Sequence, residues 1–155
     1  MSSTATTTGE GAPRPVTART ALLGFAAGAL SVLTVFQGTV WLLHALGVFP
    51  LGPFSVRPVP PFNVPLFVNH AFWGGLWGVL IAVLLRRLRV PDLLFGAAFG
   101  AVAVNLVLWI AVPAIKGTPF FMGGNPTLLA ATVLLHAAFG WGVALILRWL
   151  RARAA

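Results

Sequence analysis

The residues able to do chemistry are few. Glu10 and Asp92 are the only carboxylates and there is no cysteine, so paired-carboxylate acid–base catalysis, thiolate nucleophiles, thiolate metal sites and disulfides are excluded by count. No Gly-rich phosphate loop and no catalytic triad is present. What remains is six polar side chains inside or at the edge of long apolar runs: Gln37, His44, Asn69, His70, Asn105 and His136. Amides and imidazoles so placed can hydrogen-bond across helices or line a polar cavity. The imidazoles of His70 and His136 could also clamp a b-type haem or a metal ion.

Their surroundings narrow the choice. Hydrophobic residues make up 59% of the 155 and charged ones only 8%, against roughly half and a quarter in ordinary globular domains. Mean hydropathy is +0.96. A water-soluble core cannot absorb that excess, whereas lipid can. The formal net charge of +8 sits in short clusters at the ends of apolar runs. Positive charge there sets orientation in a bilayer and meets anionic headgroups, and no basic stripe with stacking aromatics points to nucleic acid.

Four runs, at about 21–46, 66–85, 93–112 and 127–147, approach or exceed the ~20 residues needed to cross a bilayer. The first is too long for the apolar core of a signal peptide and reads as an uncleaved anchor helix. Residues 1–20 read as a disordered cytoplasmic tail and 151–155 as a basic one. Pro50, Pro53, Pro58, Pro60, Pro61 and Pro65 make the first connection a semi-rigid extended loop. Pro113 is expected to end the third helix, with Asn125 capping the fourth and Pro126 in its first turn. Eight basic residues fall in the tails and the middle loop, and only Arg57 and Lys116 in the other two loops. The expected fold is therefore an all-α membrane protein, four transmembrane helices in two tandem hairpins with both termini cytoplasmic. Arginine in place of lysine, with abundant Ala and Leu, suggests a bacterial inner membrane.

The two hairpins read as an internal repeat. Leu22, Gly24, Ala26, Gly28 and Ala29 match Leu94, Gly96, Ala98, Gly100 and Ala101 in one register, and His70 to Gly74 resembles His136 to Gly140. Gly24 and Gly28, Gly74 and Gly78, and Gly96 and Gly100 each stand four apart, on one face of a helix. Backbones can approach closely there, either within the chain or along an oligomer seam. Leu85, at the end of the second helix, is expected to tolerate substitution.

At about 1.5 Å per residue, Gln37 lies roughly 24 Å and Asn105 roughly 18 Å from the cytoplasmic ends of their helices; His136 lies roughly 14 Å from the outer end and Asn69 and His70 within about 6 Å of it. All fall in the outer half. Polar groups facing lipid are costly, so Gln37, Asn105 and His136 are expected to converge inside the bundle. The cluster is then either a packing network or a polar cavity roofed by the two Pro/Gly loops, with Asn69 and His70 beside it. Proton-coupled exporters of this size, such as the small multidrug resistance family, use a buried carboxylate that this chain lacks.

The segments Asn69-His-Ala-Phe-Trp-Gly-Gly-Leu-Trp-Gly78 and Lys116-Gly-Thr-Pro-Phe-Phe-Met-Gly-Gly-Asn-Pro126, in a four-helix layout, resemble an uncharacterised group of small proteobacterial inner-membrane proteins. The resemblance covers about residues 21–150 and implies no activity, cofactor or site. The expected role is a non-enzymatic packing or accessory subunit, as a homo-oligomer or within a larger membrane complex, without a cofactor. A passive pore or carrier for a small solute is the alternative, and a haem-bearing electron-transfer subunit a more distant one.

Overall fold

The computed structural model describes residues 17–153. Residues 1–16 of the expected tail and residues 154–155 lie outside that range. Among the described residues, four helices are long and apolar enough to cross a membrane: α1 Ala18–Ala45, α2 Leu66–Arg87, α3 Asp92–Lys116 and α4 Pro126–Arg153. They pack against one another as a multi-pass membrane protein, and the ends carrying Arg86, Arg87, Arg89, Arg148 and Arg151 lie together. Arg151 Nη2 reaches the Ala82 carbonyl of α2 at 3.4 Å, and Arg148 and Asp92 line one surface recess.

All four helices run further than the hydropathy suggests at one end or both, the second only by Arg86 and Arg87. The first begins at Ala18, because Thr17 Oγ1 caps it by accepting from the Thr20 amide at 3.3 Å; residues 18–20 are thus helix and not tail. The third does not stop at Pro113. It passes through a π segment, Val107–Ala111, and continues to Lys116. A proline lacks the amide that a regular turn would use and crowds the carbonyl four residues back, and a widened turn just before it relieves both conflicts. The helix ends instead at Gly117, whose φ of 65° is the left-handed geometry that closes helices, with its amide on the Pro113 carbonyl at 2.8 Å;. The fourth runs on to Arg153, so most of the expected basic tail is helical. Its start is as the sequence suggests: Asn125 Oδ1 accepts from the Thr127 and Leu128 amides at 3.0 and 3.1 Å.

The proline-rich connection is more ordered than an extended loop. Within it β1 (Pro58–Val59) pairs antiparallel with β2 (Val64–Pro65). The carbonyls of Arg57 and Ser55 then accept from the amides of Leu66 and Phe67 at 2.9 and 3.2 Å. These amides belong to the first turn of α2 and have no partner within the helix.

Each hairpin is held by backbone contact at its glycines. A Cβ added at Gly28 would fall on the Gly74 carbonyl, and one at Gly78 on the Gly24 carbonyl; one at Gly100 would fall on the His136 carbonyl, and one at Gly140 on that of Gly96. Lipid tails are as apolar as leucine, so this close approach, with its dense dispersion contacts, is what favours helix on helix over helix on lipid. The hairpins join through α1 and α4. Ser31 Oγ donates to the Phe139 carbonyl at 2.8 Å in the interior, and a Cβ at Gly142 would meet that Oγ and Val35. Ala27, Val32, Ile81, Ala82, Val143, Ala144 and Leu147 fill the space around this join. Leu85 is also buried, at 8% exposed, and is not the tolerant surface position its place in the sequence suggests. Helix α3 is peripheral, packed chiefly on α4.

Candidate functional site

The polar residues gather toward the arginine-poor end, but as two separate groups. The first lies between α3 and α4. Asn105 is fully buried and follows a π segment, Gly100–Val104. Its Nδ2 donates to the Ala101 carbonyl at 2.9 Å and to the Thr132 carbonyl at 3.3 Å. Those two bonds fix which end of the amide is oxygen. Oδ1 therefore accepts from His136 Nδ1, 2.9 Å away, and the imidazole carries its proton on Nδ1. Next to them Trp109 Nε1 donates to Thr132 Oγ1 at 3.2 Å, and that hydroxyl donates to the Leu129 carbonyl at 3.0 Å. The group is a ladder across one helix pair, with each donor matched.

The second group surrounds Gln37 on α1. This residue also follows a π segment, Val32–Phe36, and is 4% exposed. It does not join Asn105 and His136 as expected. Its Oε1 accepts from the Phe54 amide at 2.8 Å, pinning the first loop down onto α1. A second pin is His44, whose Nδ1 bonds the Phe49 carbonyl at 2.8 Å. A loop amide folded back against a helix needs a partner, and Gln37 offers the nearest side-chain acceptor;. Sequence spacing does not show that a loop will fold back so far.

In the strap that the two pins hold, from Phe49 to Phe54, the residues Phe49 to Gly52 roof a cavity of about 200 Å³, with Ser55 at its rim. Phe36, Gln37, Val40, Phe67, His70 and Leu135 line it from the helices, and its walls are almost wholly apolar. Of the two readings of the polar cluster, Asn105 and His136 form the packing network; the cavity is an apolar one under a single loop, and they do not line it. His70 stands at its edge, its ring 5.4 Å from that of Phe36 and tilted 68° to it. The same Phe36 ring lies 6.0 Å from the His136 imidazole. The two histidines thus meet on a phenylalanine ring. Asn69 is half-buried beside them and forms no part of either group. No cluster of three metal-ligating side chains occurs among the described residues.

The glycine contacts show why the two histidines, matched in sequence, behave differently. In the first hairpin Gly28 faces the carbonyl of Gly74, four residues after His70; in the second Gly100 faces the carbonyl of His136 itself. The second hairpin is thus packed one helical turn away from the sequence match. Ala82 and Ala144 follow the same rule, meeting Gly24 and Gly96 respectively. His136 occupies the place of Gly74, against α3, where its imidazole reaches Asn105. The place of His70 is taken in the second hairpin by Thr132.

No family model matches the chain, and no match was found among curated proteins or among solved structures.

Proposed function

We propose that this is a non-enzymatic protein of a bacterial inner membrane, with both termini cytoplasmic, that serves as an accessory subunit of a membrane complex or of a homo-oligomer. The observation that carries this reading is the use made of the buried polar groups. Ser31, Asn105, Trp109 and Thr132 are spent on bonds within and between helices, which set the register of the bundle and hold no reacting atom. The glycine faces are likewise consumed inside the chain, which leaves another surface to meet a partner. Helix α3 supplies one: packed on α4, it shows Leu94, Val102, Leu106 and Ile110 on its flank, each more than two-fifths exposed. The facing glycine pairs support a common origin for the two hairpins, and the four-helix layout accords with the proteobacterial group the sequence resembles.

Because the chain has no cysteine, single cysteines report cleanly. In native membranes Val102→Cys should give a crosslinked adduct with a short bifunctional maleimide, and Leu22→Cys, on the opposite hairpin, should not. Equal yields from both positions would remove α3 as the contact face. For orientation, a reporter fused after Ala155 should be cytoplasmic and one inserted near Pro60 external; the reverse result would overturn the topology.

A further inference from the structure

The position of the cavity under the first loop has a counterpart in the second hairpin, and there it carries an indole. Gln37 stands nine residues after Gly28 and Trp109 nine after Gly100, while His70 stands eight before Gly78 and Thr132 eight before Gly140. The glycines pair Gly24 with Gly78 and Gly96 with Gly140. Counted from those contacts, the Gln37 and His70 pair of the first hairpin corresponds to the Trp109 and Thr132 pair of the second. In the second hairpin an indole ring occupies the position and hydrogen-bonds the facing helix. In the first, the same position carries an amide and an imidazole on the wall of a cavity.

We infer that the cavity beneath the Phe49–Phe54 strap binds a neutral aromatic molecule of one or two fused rings that carries a hydrogen-bond-accepting oxygen. The size fits, since an apolar cavity of roughly 150 Å³ takes up a benzene ring and this one measures about 200 Å³. The walls fit, since Phe36, Phe49 and Phe67 offer ring faces and edges;. The polar edge fits as well. With Oε1 held by the Phe54 amide, the free end of the Gln37 amide is the NH₂ donor. Among the described residues no sealed side-chain nitrogen or oxygen lacks a partner, so that NH₂ group opens on accessible space. Gln37 lines the cavity, and in the proposed site its NH₂ group stands on that wall. A hydrocarbon tail would leave this donor unmatched, whereas an aromatic bearing an oxygen satisfies it, with the His70 ring beside it.

The probes are 2-naphthol, naphthalene and decane, titrated calorimetrically into the full chain in nanodiscs with the uptake of empty nanodiscs subtracted. 2-Naphthol should bind saturably at one site, about tenfold more tightly than naphthalene, as one hydrogen bond in an apolar pocket warrants. Gln37→Leu should abolish that preference, and Val40→Trp, which fills the cavity with an indole like that of Trp109 at the counterpart position, should abolish binding of both aromatics. Leu22→Ala, far from the cavity and 71% exposed, should change neither. Thermal melting of each variant establishes that it is folded; if Gln37→Leu is not, Leu135→Phe narrows the cavity without touching the strap and should weaken binding of both aromatics. Equal affinity for all three probes would mean that a lipid tail is the occupant, and retention of 2-naphthol by folded Val40→Trp would place binding elsewhere. Either result overturns the inference.

Discussion

The two hairpins carry the same spacing of glycines and use it in registers one turn apart. In α1 and α2, Gly24 and Gly28 meet glycines on the facing helix, and His70 is left beyond the contact, at the edge of a cavity. In α3 and α4, Gly100 meets the backbone of His136, which brings that imidazole against Asn105. A slide of one turn, about 5.4 Å, therefore separates a histidine that is part of the scaffold from one that faces open space. Small residues four apart permit close approach but do not select the register. Selection comes from what lies around them: Asn105 and Thr132 on one side, the pinned loop on the other.

The comparison breaks most directly at the glycines. Gly28→Leu and Gly100→Leu should each cost several kcal/mol, more than the roughly 1–3 kcal/mol of ordinary overpacking, because the clash is with backbone carbonyls that cannot rotate away. Melting of the purified variants in detergent measures this, with Leu22→Ala, at 71% exposed, as the neutral control. Leu85 cannot serve as one. Should either glycine variant melt like the parent, its hairpin is not held by backbone contact.

Next in size is Asn105→Leu, which removes the partner of His136 Nδ1 and the donor to two carbonyls at once. A loss of about 1–3 kcal/mol is expected from stranding buried groups. Gln37→Leu should cost less, because the single amide it releases lies in a loop that water can reach. Finding the two variants equal, or in the reverse order, would show that the polar groups of the two hairpins are not differently employed. The smallest effect belongs to Trp109→Phe, which keeps most of the ring bulk and deletes one bond to Thr132. Such interhelical bonds average about 0.6 kcal/mol and reach about 1.7 kcal/mol. Trp109→Ala sharpens the comparison further: it should open in the second hairpin a cavity like that of the first, detectable as new naphthalene uptake in nanodiscs.

Much of the site was legible in part. That Asn105 and His136 would meet follows from depth and from the cost of a polar group in lipid, and the hydrogen bond between them has the length expected. Gln37 was misplaced by the same argument, since a polar side chain near the membrane surface has a second way to be satisfied, by a loop. The cavity was invisible because its roof is that loop and its walls come from α1, α2 and α4. Its one sequence signal was the contrast between Gln37 and Trp109 at equal distances from matched glycines, and that contrast has meaning only once the glycine contacts are known.

By itself the sequence determined four helices long enough to span, their antiparallel order, the collection of arginines at one end, and the faces on which backbones could approach. These are local properties: in lipid each segment must satisfy its own backbone, so length and hydropathy settle the helices one at a time. Tertiary structure decided the register of each hairpin, the widened turns before Gln37, Asn105 and Pro113, the capture of Phe54 by Gln37, and the space left beside His70. Neighbouring registers differ by a whole turn yet keep the same face in contact, so local pattern does not separate them. The choice falls to contacts between residues far apart in the chain, such as Ser31 with Phe139 and Asn105 with His136, whose distances exist only once the helices that carry them are packed.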